Sequence, residues 1–468
     1  MNTVHQKKQI RLYRPETFLI DDIPAQYSHF TDSLVYLCHL IIERWLFDSR
    51  HKYRGAVSLK ASYLQRILGP HYTTIIAIAC EIGLIERDPH YTKGRHSRKY
   101  ILGEKYRGKW VAHYPIDRGL IRRLKAWKRR EKEEGKRLSK KLKLSMPHQH
   151  VERWLLSITV DEVDIRQLCD AYKDELKAKH DRRRRRKKKS VRGKKKTKKR
   201  PEFDIEQAIE AFAENYQRIR DGDFFAKPDR YGRCHTNITN LWSELRRYLR
   251  YKGQPLVNVD IHCSQPLFLC LVLIACYQSG QFSLSFCHTL NSSSSYDIKL
   301  SSSPLLAGDY EANPNLPDDL KAFVKLVVEE DVYTFLGKAA GRSDLDRSQQ
   351  KERVFGVLYG KNNHPDPFFN ALQEHFSSVA SAIVAIKKEF GYSSLAKLMQ
   401  RFESAFIYGA VVRRLQKERP YLFLTTIHDS VMTVKGSEQV IIDVMEEEFR
   451  KLGLRPQLKV EDYSETTN

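Results

Sequence analysis

The stretch that decides the fold is residues 346–360, DRSQQKERVFGVLYG. Arg347, Lys351, Phe355 and Tyr359 follow one another at steps of four residues, so a helix places all four side chains on one face. That face presents two cations that suit a triphosphate and two aromatic rings that suit a base. An ordinary amphipathic helix with solvated cations also explains such a stripe, but it does not explain an interior glycine or the final Tyr-Gly.

Two aspartates end apolar stretches on either side of this segment. Asp260 ends the candidate strand LVNVD, and Asp429 lies in FLTTIHDSVMTV, at a tight turn between two candidate strands. A carboxylate at the edge of a buried strand is costly without a partner, and two neighbouring carboxylates repel each other. Two Mg²⁺ ions would relieve both costs and provide a two-metal arrangement for phosphoryl transfer. We therefore predict that Asp260 and Asp429 are catalytic metal ligands, with Lys351 as the proton donor to departing pyrophosphate.

The pattern R-x3-K-x3-F-G-x2-Y-G in this helix resembles motif B of family A DNA polymerases. Asp260 then resembles the metal-binding aspartate of motif A, and Ile427-His428-Asp429 resembles motif C, in the family's order. The resemblance covers about residues 225–465. It implies an α+β right-hand polymerase fold, with an antiparallel palm sheet, helical fingers and a reduced thumb. The implied partners are a DNA primer–template and nucleoside triphosphates.

The resemblance also assigns binding residues. Arg233 in DRYGRCHT is similar to the family's glycine-arginine element that contacts the primer–template, and Glu330-Asp331-Val-Tyr333 resembles the acidic-aromatic step before the fingers. Gln400 and Glu403 in LMQRFES resemble the element that leads toward motif C. The implied dNTP-binding residues are Arg347, Lys351, Phe355, Tyr359 and Gln265, and the implied nucleic-acid-binding residues of this region are Arg233, Gln400 and His428.

Two positions depart from the DNA-polymerase pattern. DNA-making members of the family usually carry a glutamate five residues after the motif A aspartate, and here that residue is Gln265. Ser430 follows the motif C aspartate in place of glutamate, and the spacing D-x-x-C-S resembles phage-type single-subunit RNA polymerases. Phe355-Gly356 is nevertheless the DNA-polymerase form. We predict DNA-directed DNA synthesis in DNA replication; the alternatives are an RNA- or primer-synthesising polymerase and an inactive DNA-binding initiator or regulator on a polymerase scaffold.

Residues 1–115 are predicted to form a winged-helix-like DNA-binding domain. Three helices followed by a two-stranded ribbon are expected, the helices at Thr31–Phe47, Ser58–Leu68 and His71–Ile82 and the strands at Leu84–Arg87 and Tyr100–Leu102. The ribbon's tip places Lys93, Arg95 and Arg98 around a glycine turn, which suits a phosphate backbone. A small helical bundle with a solvated basic hairpin is the competing interpretation.

Composition sets the remaining expectations. The formal net charge is +25, and residues 182–200 hold fifteen Lys and Arg without an acid, which favours a polyanionic partner. A nuclear localisation signal is the competing interpretation of this run. Residues 116–200 are predicted to be charged helices, a possible thumb, followed by this polybasic linker, and residues 201–468 the palm and fingers. The longest apolar run is too short to span a bilayer, and no signal-type segment opens the chain, so we expect a cytoplasmic protein without membrane contact. Replication proteins of a phage or mobile element are the expected partners, and the cysteines show no zinc-ligand spacing.

Overall fold

The computed structural model describes residues 10–47, 55–88, 97–171, 173–174, 205–278, 310–361 and 366–463. Contacts divide the chain into an N-terminal unit, residues 1–133 and 162–215, and a C-terminal unit, residues 134–161 and 216–468. Composition alone predicts boundaries after residues 115 and 200 instead. The described residues combine helices with a curled antiparallel sheet, so the α+β class is confirmed.

The N-terminal unit is built around helix Thr31–Phe47, which is buried along most of its length because apolar residues occupy nearly every face. Helices Ala61–Leu68 and Tyr72–Glu81 follow it. Its strands are β1 (Leu12–Pro15), β2 (Val57–Ser58), β3 (Ile85–Arg87), β4 (Lys99–Leu102) and β5 (Trp110–His113). They pair antiparallel as β1-β5 and β2-β4-β3.

One predicted helix of this unit begins later than expected. Residues 57–58 form β2, since Val57 pairs with Tyr100 of β4, and the helix starts only at Ala61. Two of the predicted wing cations, Lys93 and Arg95, lie outside the described residues, whereas Arg98 is exposed just before β4. Further helices of the chain run over Arg118–Lys141, Ile165–Ala171 and Ile205–Arg220.

The strands of the C-terminal unit are β6 (Ile158–Val160), β7 (Ala226–Pro228), β8 (Cys234–Thr236), β9 (Leu249–Tyr251), β10 (Gln254–Ile261), β11 (Thr425–Ile427), β12 (Ser430–Val434) and β13 (Leu458–Asp462). Among the described residues, six of these strands form one antiparallel sheet in the order β11-β12-β10-β9-β6, with β13 also paired to β10. Three of its strands, β6, β9 and β13, were not predicted, because each is short. A separate ribbon pairs β7 with β8.

Helices surround this sheet. The sequence pattern predicts one helix over Leu320–Leu336, but the chain breaks at residues 330–331. The Asp331 side chain accepts a hydrogen bond from the Tyr333 amide and caps a new helix there. The helices are Ser145–Leu155, Ser264–Gln278, Asp318–Glu329, Val332–Ala339, Arg347–Tyr359, Pro367–His375, Ser377–Phe390, Ser394–Ser404, the π-helical Ala405–Val412, Arg413–Glu418 and Glu438–Arg450.

Helix Ser264–Gln278 forms the centre of the larger core. Residues 264–276 are all buried, and the helix packs against helices Asp318–Glu329 and Ser394–Ser404. Because it starts directly after β10, this packing fixes the end of that strand, where Asp260 lies. Within the described residues, no helix combines the length and apolar character that crossing a bilayer requires.

Candidate active site

The two predicted metal ligands lie on neighbouring strands. Asp260 is the second-last residue of β10, and its Cα pairs with that of Ser430 in β12. Asp429 directly precedes Ser430, so the hairpin brings both acids to one end of the sheet. Burial, the neighbouring Asp429 and the carboxylate of Glu461 raise the pKa of Asp260 to about 7, whereas Lys351 opposes the rise. The β10–β12 pairing thus concentrates negative charge at one point, as the sequence predicts.

The turn that carries Asp429 has an unusual backbone. His428 adopts a φ of 55°, the left-handed region that residues with a side chain seldom occupy, at the first position of a two-residue hairpin loop. The Ser264 hydroxyl donates a hydrogen bond to Asp429 and fixes that carboxylate. The buried Nδ1 of His428 has no hydrogen-bond partner among the described residues. Burial and the nearby Arg233 lower the pKa of His428.

Helix Arg347–Tyr359 presents its stripe beside these acids. Arg347 and Lys351 are exposed, whereas Phe355 and Tyr359 are half-buried, so the stripe runs from solvent inward. The helix begins at a cap in which Asp346 accepts from the Gln349 amide at 2.8 Å. These burials agree with the predicted face, with two cations at one end and two rings at the other.

The interior glycine of this helix leaves open space beside Phe355. A Cβ at Gly356 would meet no atom within 4 Å, so packing against the described residues does not require glycine there. A glycine on an exposed, uncrowded face instead leaves the backbone open to close approach by a ligand.

The cations of the stripe have their own partners. The Arg347 guanidinium donates to Asp331, with Nε 2.7 Å from Oδ2, and lies 5.4 Å from the Tyr333 ring centroid. Burial would raise the pKa of Asp331, but hydrogen bonds from Thr334 and Arg347 outweigh burial and lower it. The Lys351 ammonium lies 5.7 Å from the Tyr333 ring centroid. Both cations therefore contact the start of helix Val332–Ala339, Arg347 at Asp331 and Tyr333 and Lys351 at the Tyr333 ring.

A buried polar chain links the inner end of the stripe to the turn at Arg233. The Tyr359 hydroxyl donates to Gln265 Oε1 at 2.6 Å, and Gln265 Nε2 donates to Glu403 Oε2 at 2.6 Å. Arg233 grips the same carboxylate with two hydrogen bonds of 2.7 and 2.6 Å. Glu403 is fully buried, and burial together with the charge of Asp429 raises its pKa to about 7. The sequence singles out all four residues, but it does not predict that Glu403 bonds to Arg233 and Gln265.

The position of Arg233 depends on the glycine before it. Gly232 has a φ of 95°, and a Cβ there would approach Ser404 Cβ to 2.9 Å, so a side chain fits neither the backbone nor the space. His148 Nε2 donates a hydrogen bond to the Gly232 carbonyl at 2.8 Å. Burial lowers the pKa of His148 to about 4, so the neutral ring accepts at Nδ1 from the Ser139 hydroxyl. Gln400, one helical turn before Glu403, is half-buried and bonds to no other described residue.

Two sets of residues have the chemistry of metal ligands. His262, Cys263 and Asp331 place one ligand atom each within 4.8 Å of one another. A nitrogen, a sulfur and an oxygen suit zinc better than magnesium, and Arg347 already occupies Asp331. Asp260 and Asp429 offer carboxylate oxygens, the ligands that Mg²⁺ prefers, and the raised pKa of Asp260 marks negative charge that a cation would neutralise. The aspartate pair is therefore the better fit to Mg²⁺.

Comparison with known proteins adds little to this geometry. No protein-family model matches the chain, and no curated protein is similar to it in sequence. Among solved structures, the chain is similar to the POL domain of Pol1 from M. smegmatis in complex with DNA primer-template and dNTP. The two share 13% sequence identity over 68% of this chain and 70% of that one, with a TM-score of 0.32. At that TM-score neither fold nor activity is transferred. The chain's own structure shows an α+β protein in which two aspartates meet at one end of an antiparallel sheet.

Proposed function

We propose that the C-terminal unit catalyses template-directed nucleotidyl transfer, as a DNA-directed DNA polymerase acting in DNA replication. The observation that carries the proposal is the meeting of Asp260 and Asp429 on paired strands, with Lys351 of the striped helix close enough to oppose the rise in the pKa of Asp260. Acids, cations and rings converge from three parts of the chain. A solvated amphipathic helix gives no reason for that convergence.

Asp260 and Asp429 would hold two Mg²⁺ ions. When bound, these ions would lower the pKa of an attacking hydroxyl and screen the charge of the leaving pyrophosphate. The chain's own contribution is to aim both carboxylates: strand pairing fixes Asp260, and the Ser264 hydroxyl fixes Asp429. Preorganisation of this kind avoids a reorganisation cost when charge develops.

The outer end of the stripe is the proposed triphosphate site. Arg347 can bind phosphate oxygens with two parallel hydrogen bonds, and Lys351 can donate a proton to pyrophosphate. In the structure Arg347 bonds to Asp331, so substrate would exchange one anionic partner for another. Phe355 and Tyr359 would contact the base and sugar at the inner end.

The proposed primer–template contacts are less uniform. Arg233 donates to Glu403 through Nε and Nη2, so its proposed role would be to hold Glu403 and Gln265 in place. His428 would contact the primer–template from the tight turn beside Asp429. We also propose that the N-terminal unit, with three helices and the β2-β4-β3 sheet, is a winged helix that binds DNA.

Primer extension tests the proposal. Wild-type protein should extend a primed template with dNTPs only when Mg²⁺ is present, and Asp260→Asn and Asp429→Asn should not. Asp443→Asn, an exposed aspartate on helix Glu438–Arg450, is the matched control and should retain activity. Absence of metal-dependent extension by the wild type would favour an inactive DNA-binding scaffold instead.

One observation favours a second candidate, synthesis of RNA or of primers. Gln265, which bonds to Tyr359 and Glu403, is an amide at the position where the DNA-making polymerases that the chain resembles usually carry a glutamate that excludes the ribose 2′-hydroxyl. Single-turnover incorporation of rNTP against dNTP, with and without a primer, separates the two polymerase activities.

A further inference from the structure

The first half of helix Arg118–Lys141 is a one-sided cationic surface. Residues 118–130 contain seven Lys and Arg and no acid. Leu120 and Leu124 of this segment are buried in the core of the N-terminal unit, and Trp127 packs against that core. Arg123 donates from Nε to the Ile67 carbonyl at 2.5 Å. These contacts anchor one side of the helix and fix which side faces outward.

The outward side carries a regular row of cations. Arg118, Arg122, Lys125 and Arg129 are separated by four, three and four residues, so they form one stripe that rises about 16 Å along the helix axis. All four are exposed, and none forms a hydrogen bond or ion pair with another described residue. Like charges at these spacings repel one another, and segment 118–130 contains no acid that would offset this repulsion.

The helix that precedes the β3–β4 hairpin has a different surface charge from this stripe. Helix Tyr72–Glu81 exposes Thr73, Thr74, Ala77 and Glu81, a surface with one acid and no cation. It therefore offers no electrostatic attraction to phosphate. Within the described part of the N-terminal unit, the denser row of exposed cations lies on helix Arg118–Lys141.

We propose that this stripe, Arg118, Arg122, Lys125 and Arg129, binds the phosphate backbone of a nucleic acid without reading its bases. Guanidinium groups bind phosphate with paired hydrogen bonds, and a fixed row of them matches a repeating polyanion. The only tryptophan of the segment packs against the core and is not offered to a base. Contact with phosphate alone positions a protein on nucleic acid but carries no sequence information.

An anionic membrane surface fits the same stripe less well. A helix that lies on a bilayer buries an apolar face next to its cations. Here Leu120, Leu124 and Trp127 already face the protein core. Nucleic acid needs only the exposed cations, so we assign nucleic acid as the ligand.

Fluorescence anisotropy of a labelled random-sequence DNA duplex tests the assignment. The full chain should carry Asp260→Asn, so that binding is read without chemistry and independently of the proposed polymerase activity. Arg122→Gln/Arg129→Gln should weaken binding about tenfold or more near 0.1 M salt and lower the slope of log K against log salt by about 2.

The control is Lys128→Gln/Arg130→Gln, which removes the same charge from exposed positions on the flanks of the same helix. This pair should change affinity less than threefold. Equal weakening by both pairs would reduce the effect to net charge and overturn the assignment, as would no weakening by the stripe pair. Circular-dichroism melting of each variant checks folding. Sedimentation with vesicles of phosphatidylserine and phosphatidylcholine measures binding to an anionic membrane. If the stripe substitutions weaken vesicle binding but leave DNA binding unchanged, the assignment is overturned.

Discussion

The two units hold their charges in opposite ways. In the C-terminal unit, Arg233 donates through Nε and Nη2 to the carboxylate of Glu403, which is fully buried. In the N-terminal unit, Arg122 and Arg129 are exposed and have no partner among the described residues. The first arrangement has a desolvation cost and needs every partner in place, whereas the second leaves its cations hydrated and open to a ligand.

The buried charges hold neighbouring side chains in position, whereas the exposed row attracts an anionic ligand. A buried charge network has one low-energy geometry, so it can hold Gln265 and Tyr359 in place beside the acids. An exposed row tolerates many geometries and responds to salt. Substitutions should therefore affect stability and chemistry in one unit, and salt-dependent binding in the other.

The largest expected effect is on extension by the acid pair. Asp429→Asn should lower the rate of nucleotide incorporation by at least about 10³-fold, because the carboxylate that Ser264 orients is lost. Binding of duplex DNA should stay within twofold. Rapid-quench incorporation and anisotropy on the same protein measure both, and equal losses in both assays would mean that Asp429 acts only through folding.

The next effect in size concerns stability. Arg233→Met leaves the fully buried Glu403 without its cation and should lower the free energy of unfolding by about 3–5 kcal/mol. Arg233→Met/Glu403→Leu should recover most of that loss, because no buried charge remains unpaired. Arg122→Gln should change stability by less than about 0.5 kcal/mol. Urea unfolding of the three variants shows whether the loss of stability comes from the burial of the pair or only from the removal of a positive charge.

The parts of this site that the sequence predicts are the local ones. Helix Arg347–Tyr359 follows from its four-residue spacing and its Asp346 cap, and the hairpin around Asp429 follows from two apolar strands that flank a short polar turn. These features depend on residues close together in the chain.

The rest depends on packing between distant segments. Glu403 lies 170 residues from Arg233 and 138 from Gln265 along the chain, and no local pattern marks it as their partner. Likewise, Glu461 lies near Asp260 only because β13 pairs with β10. The charged residues of β13 gave no sign in the sequence that this segment is a strand. The break before Tyr333 was missed because one capping aspartate interrupts an otherwise helical pattern.

A pH series should extend the comparison to the acid cluster. The pKa of Asp260 is raised in the folded state from 3.8 to about 7, so the folded protein binds more protons across that range. Its contribution to the free energy of unfolding therefore falls as pH rises from about 4 to 7. Asp260→Asn should be more stable relative to wild type at pH 8 than at pH 4.5. Urea unfolding in EDTA measures this difference, and an unchanged difference across pH would contradict the clustering of carboxylates.

The smallest expected effect separates two adjacent lysines on helix Ser377–Phe390. Lys387 is buried and donates to the Val357 and Gly360 carbonyls at 2.5 and 3.0 Å, at the end of the striped helix, while Lys388 is exposed. Burial lowers the pKa of Lys387 from 10.5 to about 8, so between these values the unfolded chain binds more protons and stability rises with pH. Lys387→Met should remove part of that rise, and Lys388→Met should not. Unfolding at pH 8 and 10 compares them, and identical slopes would show that Lys387 keeps its charge without cost, as an exposed lysine does.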